Sequence, residues 1–197
     1  MQPASIGLTG GIGSGKSTIA AIIEAFGYPV FYSDIESKKI INNPAVLQEL
    51  CGIFGEKILS NGQLDKIALA QIVFNDSEKL KTLNSILHPK VRTAFDHWRL
   101  QQTTQFVFNE AAILFETGAH LQFDKMVLVV ADTSVRTNRI KLRDNVSEAD
   151  IVARMDKQWP DEKKIVLADY IIENNGSILT PRIKSLLNNI AKDLRSS

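Results

Sequence analysis

A glycine-rich stretch near the N-terminus has the residue types and the spacing of a phosphate-binding loop. From Gly10 to Ser17 the sequence matches the pattern G-x-x-x-x-G-K-[ST] at every position. Glycines there allow successive backbone N–H groups to turn inward around an anion. Lys16 can bring its ammonium group to the β- and γ-phosphates of a nucleotide, and the Ser17 hydroxyl can ligate Mg²⁺. The predicted nucleotide-binding residues are Gly11, Ile12, Gly13, Ser14, Gly15, Lys16, Ser17 and Thr18.

The residues around this loop predict the elements that position it. Residues 6–9 begin as an apolar run, as a short buried strand does. Residues 17–26 are predicted to form a helix, whose N-terminal end favours a bound anion. Gly27 follows where a left-handed cap is needed. In this context we interpret the loop as a nucleoside triphosphate site rather than as an ordinary glycine-rich turn.

Four further segments have the length and composition of strands. They are residues 29–32, 104–109, 125–131 and 169–172. The segment 125–131 is a continuous apolar run rich in β-branched residues, as expected of a buried parallel strand. Because helical segments alternate with these strands, the sequence predicts an α/β protein with a P-loop NTPase fold. Its mainly parallel sheet should be covered by helices on both faces.

The segment between the second and third predicted strands has a different character. Residues 45–101 show helical spacing and turn signals such as Asn61-Gly62, and no convincing strand. The pair His88-Pro89 is expected to end one helix before another begins. We therefore predict an inserted helical subdomain. The predicted division of the chain is a core (1–41), the insertion (42–102), more of the core (103–134), a small helical lid (135–160), and the rest of the core with a C-terminal helix (161–197).

Composition and charge limit the classes of protein that the chain can belong to. The 197 residues are 44% hydrophobic and 23% charged, with ample material for a core. A formal net charge of +1 gives no electrostatic reason to expect nucleic acid or a membrane as partner. Cys51 is the only cysteine, which excludes a disulfide framework. With no apolar run of membrane-spanning length and no secretion signal, we expect a soluble, cytoplasmic protein, a monomer or weak homo-oligomer.

Three arginines follow the segment 125–131 at helical spacing. Arg136, Arg139 and Arg143 are separated by three and four residues, so on a helix they share a face. A phosphoryl-transfer site needs cations on the migrating phosphate, and small kinases often deliver them from a mobile lid. We predict catalytic roles for Arg139 and Arg143 beside Lys16. Arg136 by itself is better explained as part of a solvated helix surface.

One carboxylate is placed to orient an attacking hydroxyl group. Phosphoryl transfer to an alcohol uses a carboxylate that orients this hydroxyl and accepts its proton. Asp34 follows residues 29–32, and open α/β sheets bind ligands at the carboxyl ends of their strands. Its alternative role is that of a helix N-cap. Lys38, one turn further on, could contact acidic groups of an acceptor or lie in solvent.

Several strings of residues occur in the order that is found in one known family. They are residues 8–17 (LTGGIGSGKS), Ser33-Asp34, Leu87-His88-Pro89, residues 113–116 (ILFE), Arg139-x-x-x-Arg143-Asp144, Arg154-x-x-x-Gln158 and residues 168–176 (ADYIIENNG). In these markers, which cover almost the whole chain, the sequence resembles the dephospho-coenzyme A kinases. The Asn-Lys-x-Asp and Asp-x-x-Gly segments of GTPase switches do not occur in it.

The resemblance implies transfer of the γ-phosphate of ATP to the ribose 3′-hydroxyl of dephospho-coenzyme A, the last step of coenzyme A biosynthesis. It also implies a core, a helical insertion (42–102) that binds the acceptor, and a small lid. In the family, the aspartate that matches Asp34 is the proposed base. The arginine that matches Arg143 is tied to nucleotide binding and the lid. The turn that matches Asn174-Asn175-Gly176 lies near adenine, which adds Asn175 and Gly176 to the predicted nucleotide site.

The sequence also departs from the family pattern. Tyr32-Ser33-Asp34 stands where the family often has Asp-Ala-Asp, so any role of the first acid is absent. Ala112 stands where the family often has proline before its Leu-Leu-Phe-Glu string.

Two residues have both a functional and a structural explanation. Glu110 could reach the Mg²⁺ shell through water, or be a solvated acid at a strand end. His88 could contact the acceptor, as the family motif Leu-His-Pro suggests, or cap or pack a helix. Glu116 and Trp159 are expected to be structural.

Two other functions remain open beside that of a dephospho-coenzyme A kinase using ATP and Mg²⁺. One is a kinase for another acceptor, a nucleoside monophosphate or a small alcohol. The other is a regulatory module that binds ATP without transferring its phosphate.

Overall fold

The helices and strands alternate along the chain in the computed structural model, which describes residues 2–74, 76–176 and 178–196. In order they are β1 (Ala4–Gly10), α1 (Lys16–Ala25), β2 (Val30–Tyr32), α2 (Ser33–Ile40), α3 (Pro44–Phe54), a 3-10 turn (Glu56–Ile58), β3 (Leu59–Ser60), β4 (Gln63–Leu64), α4 (Lys66–Phe74), α5 (Ser77–Leu100), β5 (Phe106–Glu110), a second 3-10 turn (Ala119–Gln122), β6 (Lys125–Val130), α6 (Thr133–Asp144), α7 (Glu148–Met155), α8 (Asp161–Ile165), β7 (Tyr170–Glu173) and α9 (Thr180–Ser196). The chain forms two compact units, one of Met1–Tyr32 with Trp98–Ser197 and one of Ser33–His97.

The first unit contains a five-stranded sheet in which all strand pairs are parallel. The strand order is β2-β5-β1-β6-β7, so β1 lies at the centre, and Ile6 is opposite both Phe108 on β5 and Lys125 on β6. All five predicted strands are present, and the predicted α/β fold with a mainly parallel sheet is confirmed. Because this order puts the carboxyl ends of β1, β5 and β6 side by side, the loops that follow them meet at one edge.

Two apolar clusters cover the opposite faces of this sheet. Successive strand residues point to opposite faces, so Val127 and Val129 belong to one cluster while Met126 and Leu128 belong to the other. The first cluster also takes in residues of α1 and α9. Its buried members are Ile6, Leu8, Ile19, Ala20, Ile23, Val30, Phe106, Phe108, Val127, Val129, Ile172, Ile183, Leu186, Leu187 and Ile190. These side chains fix β1 and α1 on either side of the phosphate-binding loop.

A buried ion pair ties the segment after β5 to α8. The side chain of Lys164 is fully buried, and its Nζ lies 3.0 Å from Oε1 of Glu116, which is 12% exposed. The same Oε1 accepts a hydrogen bond of 3.1 Å from the backbone N–H of Trp159. The other oxygen, Oε2, is buried and has no hydrogen-bond partner within the described ranges. Glu116 therefore fixes the chain at both Trp159 and α8.

The second unit is mainly helical, with a small hairpin that the sequence did not predict. Strands β3 and β4 pair antiparallel around Asn61 and Gly62, whose φ angles are 51° and 75°. Two consecutive positive φ angles are typical of the tight turn that joins hairpin strands. The prediction that residues 45–101 contain no strand is therefore wrong, although the turn signal was correct.

The pair His88-Pro89 does not interrupt a helix. Helix α5 runs continuously through Pro89, so the predicted break is wrong. Proline removes one backbone hydrogen bond, but Leu83 and Leu87 on one side of it and Phe95 on the other are buried. Packing of this apolar stripe outweighs the local cost of the proline. The buried core of this unit comprises Val46, Leu50, Phe54, Ile58, Leu69, Val73, Leu83 and Leu87.

Among the described residues, no helix is both long enough and apolar enough to cross a membrane. The predicted division into core, insertion and lid stays a prediction.

Replacing Glu116 by Gln should lower the free energy of unfolding by about 3–5 kcal/mol, because the ammonium group of Lys164 is then buried without a counter-charge. Denaturant unfolding followed by circular dichroism measures this loss. The double variant Glu116→Leu, Lys164→Met should recover most of the stability, since it removes both charges. Glu148→Gln breaks an exposed pair with Lys141 and serves as the control. A loss for Glu116→Gln no larger than that of the control would contradict the assignment.

Candidate nucleotide-binding site

The phosphate-binding loop connects the end of β1 to the start of α1. Gly15 is the N-cap of α1 with φ 90° and ψ 28°, and Gly13 has φ 79°. Side chains other than hydrogen rarely tolerate these angles, so glycine at these two positions permits the observed turn. The N-terminal end of α1, with its partial positive charge, follows immediately.

Several backbone carbonyls of the loop accept hydrogen bonds from side chains. Lys16 Nζ donates to the carbonyl of Gly10 at 2.8 Å. Arg139 Nη1 lies 3.4 Å from the carbonyl oxygen of Gly13 and 3.3 Å from that of Ser14. Asn174 Nδ2 donates to the same Ser14 carbonyl at 2.8 Å. Two elements outside the loop therefore determine which way its peptide groups point.

Asn174 and Arg139 support one another. Asn174 follows β7, is only 4% exposed, and accepts a hydrogen bond from Arg139 Nη2 at 3.2 Å through its Oδ1. Because C=O and N–H point in opposite directions in a trans peptide, a Ser14 carbonyl turned back to Asn174 turns the N–H of Gly15 to the other side. N–H groups arranged in this way form an anion-binding concavity.

Arg136 also belongs to this support, and our interpretation of it as solvated helix surface is wrong. Its side chain is 11% exposed. Arg136 Nε donates to the carbonyl of Ile12 at 2.9 Å, and Nη1 lies 3.4 Å from Asp161 Oδ2. The N–H of Ile12, at the other end of the same residue, donates to Gln158 Oε1 at 2.7 Å.

Arg143 has a different environment from the other two arginines of α6. Its side chain is 63% exposed, and Nε and Nη2 donate to the two carboxylate oxygens of Asp144 at 2.7 and 2.9 Å. Arg154 of α7 reaches the same carboxylate at 3.0 Å. The hydrogen bond from Arg143 holds the pKa of Asp144 below its ordinary value. The two exposed arginines thus share one carboxylate as counter-charge.

The turn after β7 is joined to the N-cap residue of α6 by a reciprocal pair of hydrogen bonds. Asn175 Oδ1 accepts from the N–H of Asp132 at 2.8 Å, and Asn175 Nδ2 donates to Asp132 Oδ1 at 3.0 Å. Gly176 continues the turn with φ 90°. Asn175 therefore fixes the shape of the turn that the family resemblance places near adenine.

Two predicted metal-site residues lie at the ends of elements in the first unit. Ser17 and Thr18 are exposed in the first turn of α1, and Glu110 is the last residue of β5, opposite Leu8 and Tyr32. Within the described part of the chain, no three His, Cys, Asp or Glu side chains gather as a metal cluster. Mg²⁺ that arrives with nucleotide phosphates and water needs few protein oxygens, and the exposed Ser17 hydroxyl fits that need.

Tyr32 does not supply an acidic group at the end of β2. Its hydroxyl donates to Glu24 Oε2 at 2.8 Å. Burial, followed by the hydrogen bond to Glu24, raises the pKa of Tyr32 above its ordinary value. The phenol is therefore neutral and directed to α1.

Asp34, Lys38 and His88 belong to the second unit. Helix α2 begins at Ser33, so Asp34 lies in its first turn, exposed, rather than at an N-cap before it. Lys38 is exposed on the last turn of α2. His88 lies on an exposed part of α5, and partial burial of its ring lowers its pKa below the ordinary value.

Three supporting residues were missing from the predicted site: Arg136, Gln158 and Asn174. Gln158 and Asn174 were part of the motifs that carry the family resemblance. Asn174 was placed only in a turn near adenine, and Gln158 was given no role. Asn174 follows a predicted strand at the edge where ligands bind, a signal that could have identified it. For Gln158 only the motif itself was available.

In the parallel sheet, β1 is followed directly by a glycine-rich loop and then by α1, and side chains hold the loop in place. This arrangement defines a P-loop nucleotide-binding protein. Comparison with known proteins narrows this class, since the model of the dephospho-CoA kinase family matches residues 4–180. A dephospho-CoA kinase of Bacteroides fragilis is 39% identical over 185 residues, covering 92% of this chain and 90% of that protein. The chain belongs to the dephospho-CoA kinase family, as its motifs indicated.

Two solved structures support the same assignment. The crystal structure of TT1252 from Thermus thermophilus has a TM-score of 0.87 at 34% identity and covers 98% of this chain and 99% of that one. A dephospho-CoA kinase from Campylobacter jejuni has a TM-score of 0.70 at 28% identity, covering 96% and 98%.

The glycine at position 15 should be needed for space as well as for its backbone angle. A Cβ there would collide with Asn174 Nδ2, whereas a Cβ at Gly27, which has nearly the same φ (88°), meets nothing within 4 Å. Both Gly15→Ala and Gly27→Ala should lose about 1–2 kcal/mol of stability from the left-handed backbone. Only Gly15→Ala should also lose affinity for Mg-ATP, by about tenfold or more, because it displaces the clamp on the Ser14 carbonyl.

Thermal unfolding and calorimetric titration with Mg-ATP measure the two effects. Equal nucleotide affinity in the two variants would show that the contact with Asn174 does not shape the loop.

Proposed function

We propose that the protein transfers the γ-phosphoryl group of ATP to the ribose 3′-hydroxyl of dephospho-coenzyme A. The observation that carries this proposal is a family match over residues 4–180 together with a glycine loop whose carbonyls are tied away from its inner side. Such a loop suits a triphosphate better than a neutral ligand, because its N–H groups are donors for anionic oxygens.

The nucleotide is held by the loop residues 11–18. In this proposal Lys16 exchanges its bond to the Gly10 carbonyl for the β- and γ-phosphates. The Ser17 hydroxyl would hold Mg²⁺, with Glu110 as a further contact through water. Mg²⁺ neutralises charge on the β- and γ-phosphates when it is bound. The turn formed by Asn175 and Gly176 borders the adenine.

The three arginines of α6 divide into two roles according to their contacts. Arg143 has an exposed side chain whose carboxylate partner is shared with Arg154, so it can turn to the migrating phosphoryl group and stabilise its charge. Arg139 is engaged with two loop carbonyls and with Asn174. We therefore assign Arg139 to positioning the loop, and direct contact with the phosphoryl group to Arg143.

The acceptor hydroxyl is oriented by Asp34, which also accepts its proton. Helix α2, which carries Asp34, lines a cavity of about 450 Å³ through Glu36 and Lys39. A larger cavity of about 810 Å³ in the same unit is lined by α3, the β3–β4 hairpin and adjacent turns, and none of its described lining residues belongs to α2. None of Asp34, Lys38 and His88 is among the described lining residues of either cavity. Asp34 and Lys38 are four residues apart on α2 and share one of its faces, so we assign the acceptor to that face, with His88 as a further contact.

The remaining expectations are part of the same proposal. The protein acts in the cytoplasm on a small molecule, as a monomer or weak homo-oligomer, without nucleic acid or membrane partners. A kinase for another acceptor and a non-catalytic ATP-binding module are the rival functions that the next experiment separates.

Purified protein with Mg-ATP should release ADP rapidly only when dephospho-coenzyme A is added, and the product should be heavier by one phosphoryl group. Nucleoside monophosphates and small alcohols offered in the same mixture should remain unmodified. Coupled ADP detection with mass spectrometry of the mixture measures both. Preferred transfer to another acceptor would replace the proposed substrate, and ATP binding without any transfer would favour the regulatory module.

Asp34→Asn should reduce kcat by about 10²- to 10⁴-fold, because the amide cannot accept the proton of the hydroxyl. The Kd for Mg-ATP should stay close to that of the wild type, since the loop is unchanged. Steady-state kinetics and calorimetry measure the two constants. Glu78→Gln, which changes another exposed carboxylate of the second unit, serves as the control. Unchanged turnover in Asp34→Asn would remove this residue from the mechanism.

A further inference from the structure

Both peptide groups of Ile12, in the phosphate-binding loop, are held by hydrogen bonds to side chains from outside the loop. The N–H of Ile12 donates to Gln158 Oε1 at 2.7 Å, and its carbonyl accepts from Arg136 Nε at 2.9 Å. Ile12 itself offers only an apolar side chain, so the orientation of this part of the loop depends on the two partners. Because a carbonyl and the following N–H point in opposite directions, the bond from Arg136 also directs the N–H of Gly13.

Arg136 is itself held in place by a carboxylate on α8. Its Nη1 lies 3.4 Å from Asp161 Oδ2, and the two side chains are 11% and 17% exposed. The second oxygen, Asp161 Oδ1, is buried and has no hydrogen-bond partner among the described residues. Because burial makes an unpaired charge costly, the Asp161 carboxylate is stabilised by its ion pair with Arg136, and this pair keeps the guanidinium group in one orientation.

The loop is shaped to receive this guanidinium group. A Cβ on Gly11 would collide with Arg136 Nη2, and a Cβ on Gly13 would lie 2.8 Å from the carbonyl oxygen of Arg136. Gln158 is anchored in turn by a contact of 3.4 Å from its Nε2 to the carbonyl of Ala112. The close fit on both sides of Ile12 distinguishes these contacts from a chance ion pair on a helix surface.

We propose that Arg136, Asp161 and Gln158 are positioning residues that fix the Ile12 peptide groups and so set the affinity of the loop for nucleotide phosphates. This inference rests on the proposed binding of ATP by the loop. None of the three needs to touch the nucleotide, because each acts through the backbone. Their effect should therefore appear in phosphate binding and not in recognition of the base or of the acceptor.

Three substitutions to the same residue type test the proposal. In Arg136→Met and Gln158→Met, the Kd and the KM for Mg-ATP should rise about tenfold, the usual effect of one lost hydrogen bond to a critical group. The KM for dephospho-coenzyme A should change by less than about twofold. Weaker nucleotide binding that is equal in the ground state and the transition state does not alter how the acceptor binds. Lys141→Met on the same helix, which only breaks an exposed pair with Glu148, should behave as the wild type.

Adenosine provides the readout that a merely structural role would not give. It lacks phosphates, so its Kd should be the same in the wild type and in both variants. Asp161→Asn, which keeps the shape of the side chain, should raise the Kd for Mg-ATP to a smaller extent and gives a second test if Arg136→Met fails to fold.

Equal Mg-ATP affinity in the folded variants and the wild type would overturn the proposal. An equal loss of adenosine and Mg-ATP affinity would do the same, since it would indicate general damage to the site. A wild-type protein that does not bind Mg-ATP would instead contradict the proposed function.

Discussion

The carbonyl group of Ser14 is held by two side chains, and the conformation of the phosphate-binding loop depends on this contact. Asn174 comes from the end of β7 and Arg139 from α6. Both can reach the loop because β6 and β7 are the next strands of the sheet beside β1. A loop rich in glycine has many accessible conformations, and selecting one of them costs conformational entropy. The hydrogen bonds of Asn174 and Arg139 to the loop offset this loss of conformational entropy when the protein folds, before any nucleotide binds.

The surroundings of the arginines decide which of them can take part in the reaction. Separating an exposed ion pair such as Arg143–Asp144 costs little, because water screens the two charges, whereas breaking a buried one costs about 3–5 kcal/mol. Arg136 is paired with Asp161 at low exposure. In the proposed mechanism, a triphosphate therefore recruits Arg143 readily, while Arg136 stays in place. This difference in burial is the reason why we propose that Arg143 changes partners during the reaction and that Arg136 and Arg139 hold the loop.

The sheet and the loop could be predicted from the sequence because their signals are local. Alternating apolar strands and the spacing of Gly10, Gly15 and Lys16 were sufficient for both. The continuous helix α5 could not be predicted, since the effect of Pro89 is local but the packing of Leu83, Leu87 and Phe95 that outweighs it is not. Likewise, the spacing of Arg136 placed it on a helix face but did not show that the face packs against the loop.

A structure of the complex with Mg-ATP tests most directly the claim that the loop is already shaped for phosphates. We expect Lys16 Nζ to move from the Gly10 carbonyl to the β- and γ-phosphates. The contacts of Asn174 and Arg139 with the Ser14 carbonyl should remain as they are in the free protein. A triphosphate bound away from residues 11–18, or a loop that releases Asn174 and Arg139 to accept it, would show that the loop is not shaped in advance.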